Sequence, residues 1–145
     1  MSAQIVIVAN NVKRAKSALS GDQLMNIAMG GGRIIQSNAR TYAPKDTGNL
    51  STSINTQPQR TTRTGAYVEI GTDVIYANIQ ELGGWIKPKT AKILRWQGSD
   101  GKWHAAHAVY IKPQPYMRPA VDNHKGEIKS AITSMIEAKL RKATQ

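Results

Sequence analysis

The stretch Ala43-Pro44-Lys45-Asp46-Thr47-Gly48-Asn49-Leu50 limits what this chain can fold into more than any other. The ring of Pro44 pushes the preceding residue out of helical geometry, so a helix approaching it must end near Ala43. Asp46 can bond its own backbone further along, and Gly48 can take the positive φ that a tight reversal needs. A β-branched residue at Gly48 is therefore expected to disrupt folding. Leu50-Ser51-Thr52-Ser53-Ile54-Asn55-Thr56 then reads as a half-buried strand. The whole is a helix–turn–strand corner, set by Pro44, Asp46, Thr47 and Gly48.

Ahead of the corner, Leu24, Ile27, Ala28, Gly31, Ile34, Ile35, Asn38 and Tyr42 recur at three- and four-residue spacing. That pattern predicts an amphipathic helix of about twenty residues. Ser20-Gly21-Asp22 supplies its start. Gly30-Gly31-Gly32 lies in its middle, and each glycine costs a helix about 1 kcal/mol against alanine. The triplet predicts a break, a bend or very close packing against another chain. It is no phosphate cradle, because no strand runs into it and no Gly-Lys-Ser/Thr follows. Further upstream, Ile5-Val6-Ile7-Val8 reads as a short strand. Asn10-Asn11 and Lys13-Arg14-Ala15-Lys16 read as an exposed, solvated segment.

Beyond the corner, Gln57 to Gly65 is a polar loop and Ala66-Tyr67-Val68-Glu69-Ile70 a strand, giving an antiparallel hairpin with a long tip. Ile75, Ile79 and Leu82 mark a short helix around Tyr76 to Glu81, closed by Gly83-Gly84. Lys92 to Trp96 and Trp103 to Tyr110 form a second hairpin about Gly98-Ser99-Asp100-Gly101, with Trp96 facing Trp103 across it. Lys112 to Pro119 carries three prolines and must be an extended strap. A final helix has Pro119 near its first turn and Val121, Ile128, Ile132, Met135, Ile136 and Leu140 on one face. Lys139, Arg141 and Lys142 suit the negative end of its dipole. The sum is one α+β domain across residues 1–145. A small antiparallel sheet packs against a long N-terminal helix, with a short middle helix and a C-terminal helix.

Charge and composition narrow the function classes. Lys and Arg number 20 against 9 Asp and Glu, a net charge of +11, with no basic tail or lysine block. Residues 1–65 hold 8 basic and 2 acidic side chains, and residues 66–145 hold 12 and 7. The balance favours anionic partners. Cysteine is absent, which excludes disulfides and thiolate chemistry, and phenylalanine is absent too. No signal peptide is legible, and no run approaches the roughly 20 apolar residues of a membrane span. A soluble protein, folding in a reducing or neutral compartment, is expected.

Sites for chemistry are few. Asp46-Thr47-Gly48 spells the aspartic-protease triplet, but it follows a helix end instead of an apolar strand and precedes Asn49-Leu50, so it reads as a turn. His104 and His107 are three apart in a strand pattern, hence on opposite faces, and His124 has no acidic cluster beside it. No Gly-x-Ser-x-Gly elbow and no catalytic pair of carboxylates appears. An enzyme is not indicated, nor is a cofactor or metal. Non-specific binding of nucleic acid is the competing class, since the charge is a real electrostatic footprint. Against it, no helix-turn-helix, zinc finger or RNA-binding signature is present, and the aromatic residues do not interleave with arginines along one strand.

Three stretches together carry a resemblance. They are Ala43 to Leu50; Gly71-Thr72 followed by Tyr76-Ala77 and Glu81-Leu82-Gly83-Gly84; and Pro113-Gln114-Pro115-Tyr116-Met117-Arg118-Pro119-Ala120. In this order and spacing the chain resembles the tail-component family of lambdoid and related tailed bacteriophages, over about residues 20 to 142. It departs from that family at Leu82, where an aromatic residue is usual, and at Tyr116, where phenylalanine is. Residues of about 85–112 form a long version of the family's variable hairpin.

The resemblance implies a structural virion protein for head–tail joining or tail completion, forming a ring of commonly six copies at the neck. Its partners would be the connector or stopper and the tail terminator or tail tube, with possible contact to DNA in the lumen and none to a membrane. Assembly would take place in the bacterial cytoplasm. A tail terminator or minor tail protein of the same particle is the alternative. The residues expected to matter are structural. Beyond the corner they are Tyr76 and Glu81 on the short helix, Glu81 as a candidate inter-subunit ion pair, and Pro115, Tyr116, Arg118 and Pro119 in the strap.

Overall fold

Ser20 opens the long helix. Its hydroxyl accepts the Gln23 N–H at 3.3 Å, and the Gln23 side-chain oxygen accepts the Ser20 N–H at 2.9 Å. This reciprocal capping box satisfies two N–H groups that a helix start leaves without partners. The computed structural model describes residues 2–8, 19–62 and 65–143. In it this helix, α1, runs over Gly21–Tyr42 without interruption. The Ala43 N–H still reaches the Ala39 carbonyl at 2.8 Å before Pro44 turns the chain away.

The glycine triplet therefore does not break the helix, and the close packing it signals is met inside the chain. A Cβ at Gly32 would lie 2.6 Å from Thr56 Cγ2 and 3.2 Å from Val68 Cγ2. One at Gly30 would lie 2.7 Å from Met135 Sδ. The missing side chains let a sheet and a second helix approach α1 from two sides.

That sheet has three antiparallel strands, β1 (Ser2–Val8), β2 (Asn55–Thr62) and β3 (Gly65–Gly71), in the order β1-β3-β2. The predicted Ile5 to Val8 strand lies within β1. Central β3 alternates as a half-buried strand must, with Ala66, Val68 and Ile70 buried. They meet Ala28, Ile35 and Ala39 of α1 in the main core.

Two expectations around the corner fail together. Leu50 to Thr56 is not one strand: Asn49–Ser53 is a turn of helix, α2, and β2 starts only at Asn55. Buried Leu50 and Ile54 are four apart, a spacing that fits helix and strand alike. The hydroxyls decide it, because Thr52 Oγ1 bonds the Gly48 carbonyl at 3.1 Å and Ser53 Oγ the Leu50 carbonyl at 2.8 Å. Conversely, Gln57 to Thr62 is strand and not loop, so the hairpin tip is short. β2 is an edge strand whose residues are mostly exposed, which leaves no apolar alternation to see. Pro58, in register with Val68, is tolerated because an edge strand has a ladder on one side only, and a bulge between Pro58 and Arg60 absorbs Gln59. Arg60 lies over the Tyr67 ring at 4.4 Å. Residues 63 and 64 of the expected loop, and the segment Asn10 to Lys16, lie outside the described residues.

The remaining elements are α3 (Ala77–Leu82), β4 (Gly84–Ile86), β5 (Leu94–Gln97), β6 (Trp103–Ala106), β7 (Val109–Ile111), α4 (Met117–Asp122) and α5 (Lys125–Ala143). The expected second hairpin is thus divided. β5 pairs with β6, while β7 leaves to pair with β4. The register sets Trp96 opposite His104 and Gln97 opposite Trp103, so the two tryptophans do not face each other. Trp96 stacks on His104 instead, at 5.5 Å and 21°. The last helix is also two, parted at Asn123-His124, with the weak helix formers Asn123 and Gly126 at the junction. α4 sends Tyr116, Met117 and Ala120 into the main core, and Ile136 of α5 joins Leu19 and Ile27 in a smaller cluster.

The two glycines predict opposite outcomes. Gly32→Ala drives a Cβ into the stiff, β-branched Thr56 and should cost about 1–3 kcal/mol in urea unfolding. Gly30→Ala meets only the flexible end of Met135 and gains up to about 1 kcal/mol of helix propensity, so its stability should hold or rise.

Candidate assembly site

Glu81 is 4 % exposed, the one buried ionisable acid among the described residues. α3 aims its carboxylate at the start of α4. Oε2 accepts the N–H groups of Tyr116 at 2.7 Å and Met117 at 2.9 Å, and Oε1 accepts that of Arg118 at 3.1 Å. A helix start leaves such N–H groups without partners inside the helix, and carries the positive end of its dipole. The Gln80 carbonyl takes the Gln114 N–H at 2.7 Å. Residues 114–118 are thereby tied to α3 by four hydrogen bonds.

The expected inter-subunit ion pair at Glu81 is accordingly corrected. Both of its oxygens are committed to the backbone of its own chain. Arg118 contributes its N–H to this site while its side chain stays exposed. Pro119 fits the first turn of α4, where a missing N–H costs nothing. Pro115, which lacks an N–H altogether, is exposed just ahead of the capped groups. Tyr116 is wholly buried, and its hydroxyl has no hydrogen-bond partner among the described residues. Burial, with the nearby Glu81 carboxylate adding to it, pushes the phenol up from its ordinary value to about 12.

At the corner, Gly48 has φ +74° and ψ −8° and stands at the N-cap of α2. Nothing lies within 4 Å of where its Cβ would be, so the demand for glycine comes from the backbone alone. Thr47 Oγ1 accepts the Asn49 N–H at 3.4 Å. Asp46, expected to make the turn's own hydrogen bond, makes none among the described residues and stands exposed.

Sequence reasoning missed Arg40. Its Nε and Nη2 donate to the Ile54 carbonyl at 2.9 and 2.6 Å, and Nη2 also reaches the Thr52 carbonyl at 3.2 Å. It closes the C-terminal end of α2. The available signal was a guanidinium, a five-donor fork, in the last turn of a helix that the next residues must double back upon.

These pieces meet. Ser53 and Thr72 share a hydrogen bond of 2.6 Å, and Asn49 Nδ2 donates to the Tyr76 hydroxyl at 3.4 Å. Pro44, Asp46, Thr47 and Asn49 face Tyr76 and Gln80 across an open cleft of about 430 Å³. Pro44, Asp46, Thr47 and Tyr76 thus share one cleft, while Glu81 on α3 is bonded to the start of α4, where Pro115, Tyr116, Arg118 and Pro119 lie.

The short helix turns its apolar residues the unexpected way. Ala77 and Glu81 are buried, whereas Ile75 is 98 % and Leu82 58 % exposed. Trp85 and Tyr110, cross-strand partners with ring centroids 5.3 Å apart, are exposed as well. The three histidines are dispersed: His104 meets Asp100 at 3.4 Å, His107 the Lys92 carbonyl at 3.2 Å, and His124 both Tyr42 and Glu127. Among the described residues, no three His, Asp or Glu side chains are grouped as metal ligands. No helix there is long and apolar enough to cross a membrane.

Substitutions at two positions check this reading. Glu81→Ala strands three N–H groups and should cost about 3 kcal/mol in denaturant unfolding, with Glu81→Gln in between. Tyr116→Phe should not lower stability at neutral pH, because it removes a hydroxyl that bonds nothing. The raised phenol is neutral in the folded chain after the unfolded chain has begun to ionise. Stability therefore falls as pH climbs from 10 to about 12. Tyr116→Phe should recover about 2 kcal/mol of that loss, measured as the difference between the two alkaline unfolding profiles.

Comparison with known proteins finds no matching family model, no matching curated protein and no matching solved structure.

Proposed function

We propose that this chain is a structural component of a tailed bacteriophage or prophage virion, acting in tail completion or head–tail joining. It would assemble as a ring, commonly of six copies, between the head connector and the tail. The observation that carries this is the convergence of the three stretches on which the resemblance rests. Separated along the chain, they are tied to one another by Asn49–Tyr76, Ser53–Thr72 and the Glu81 cap. Motifs that fold into one bonded unit are a stronger sign than the same residues scattered over unrelated loops.

Exposure supports the same reading. Ile75, Leu82 and Trp85 are large apolar side chains left in water on a single subunit, as a surface awaiting a neighbour would have them. The role proposed is structural and not enzymatic. The cleft at the corner is lined by one carboxylate, Asp46, with the hydroxyls of Thr47 and Tyr76, and Thr47 and Tyr76 each bond Asn49. An anionic neighbour of a ring of chains each at +11 would act only in contact, because 0.15 M salt screens charges beyond about 8 Å.

Electron microscopy of particles made with this gene disabled tests the proposal. Filled heads and finished tails lying apart are the expected result. Heads without tails, or tails of uncontrolled length, would move the protein to tail assembly or termination. Normal infectious particles would overturn the virion reading.

A further inference from the structure

We infer that residues 85–112 form a docking arm for an acidic protein surface. The arm contains all three tryptophans of the chain, and all three are exposed: Trp85 at 64 %, Trp96 at 39 % and Trp103 at 74 %. Its β5–β6 hairpin is hydrogen-bonded to neither of the other sheets. Except for Leu94 and Ala106, every residue of these two strands is exposed. A lone two-stranded hairpin is marginal in water, and large aromatic rings are a poor choice for a surface that stays wet.

Charge specifies the partner. Lys87, Lys89, Lys92, Arg95, Lys102 and Lys112 are exposed and stand in no ion pair among the described residues. Asp100 is the only acid in the arm, and it is engaged at the turn by the Lys102 N–H at 3.1 Å and by His104 at 3.4 Å. Six cations without anions call for an anionic face opposite them.

Ring geometry separates protein from nucleic acid. Unpaired bases bind by stacking on open aromatic faces. Here Trp96 already has His104 stacked against it, and Trp85 is packed against Tyr110. Paired rings make raised apolar anchors, of the kind that fill pockets at the centre of a protein interface, with the cations forming the charged rim. Trp103, the most exposed of the three, has no ring partner among the described residues, so it is the ring on which the comparison with oligo(dT) turns. The inference rests on the assembly reading in requiring a protein neighbour, and adds that neighbour's chemistry.

Because every tryptophan lies in the arm, tryptophan emission from the intact chain reports on the arm alone. The probes are an acidic random polypeptide of glutamate and alanine, and oligo(dT) in parallel. The polypeptide should shift the emission, and its affinity should fall about tenfold or more as salt rises from about 0.05 to about 0.5 M. Arg95→Glu with Lys102→Glu, at two exposed positions, should lower the affinity about tenfold. Trp103→Ala should lower it further, while Lys129→Glu with Lys142→Glu on α5 should leave it within about twofold.

An unmoved emission, or an equal loss from the α5 reversal, would overturn the inference. So would oligo(dT) binding more tightly than the polypeptide, which would make the arm a nucleic-acid surface. These experiments use the isolated chain, so their failure leaves the particle phenotype of the disabled gene as a separate test of the neck role.

Discussion

The fold depends on a buried carboxylate that has no cationic partner among the described residues. Glu81 enters the interior on a two-turn helix and finds three backbone N–H groups, so its charge is met by the start of another helix instead of by a lysine or arginine. Burying an ion without such compensation costs several kcal/mol. The carboxylate and the N-terminus of α4 consequently require each other. This fixes where α4 begins, and hence where Tyr116, Met117 and Ala120 enter the core. An arginine in place of those N–H groups would have neutralised the charge but left the strap free to slide.

A similar division of labour holds at the corner. Pro44 and Gly48 determine where the chain can turn, but neither supplies much cohesion. Arg40 does, by gathering the Thr52 and Ile54 carbonyls at the far end of α2. The Ser53–Thr72 hydrogen bond then links α2 to the segment leaving the sheet. Backbone restriction and backbone capping therefore come from different residues, and a helix of five residues with little intrinsic stability is held from both ends.

What could be read in the sequence follows from this. α1 was legible because its start, its periodic face and its stop are all local signals: Ser20-Gly21-Asp22, the three–four spacing, and Pro44. α2 was not, since Leu50 and Ile54 suit two periods equally and the deciding hydroxyls act through their own backbone. β2 was hidden because an edge strand with both sides wet has no alternation to show. For α3 the spacing of Ile75, Ile79 and Leu82 correctly signalled a helix but did not reveal its inner face, which belongs to Ala77 and Glu81. Glu81 itself could be singled out but not explained. A side chain that caps backbone leaves no complementary residue elsewhere in the sequence, so a charged partner was sought where backbone N–H groups serve instead. The α+β outline survived these errors because it rests on the long helix and on β3, whose patterns are unambiguous.

The bulge in β2 has a consequence for how copies of the chain can meet. A sheet edge normally offers a ladder of free N–H and C=O groups to any passing strand. Along β2 that ladder is missing an N–H at Pro58 and is thrown out of step at Gln59. A second copy cannot simply continue the sheet on this side. Open-ended growth by strand addition, the route to fibres, is blocked along that edge. Any contact made on this side of the sheet must therefore come from side-chain surfaces, whose geometry fixes an angle between the two bodies instead of extending a ladder.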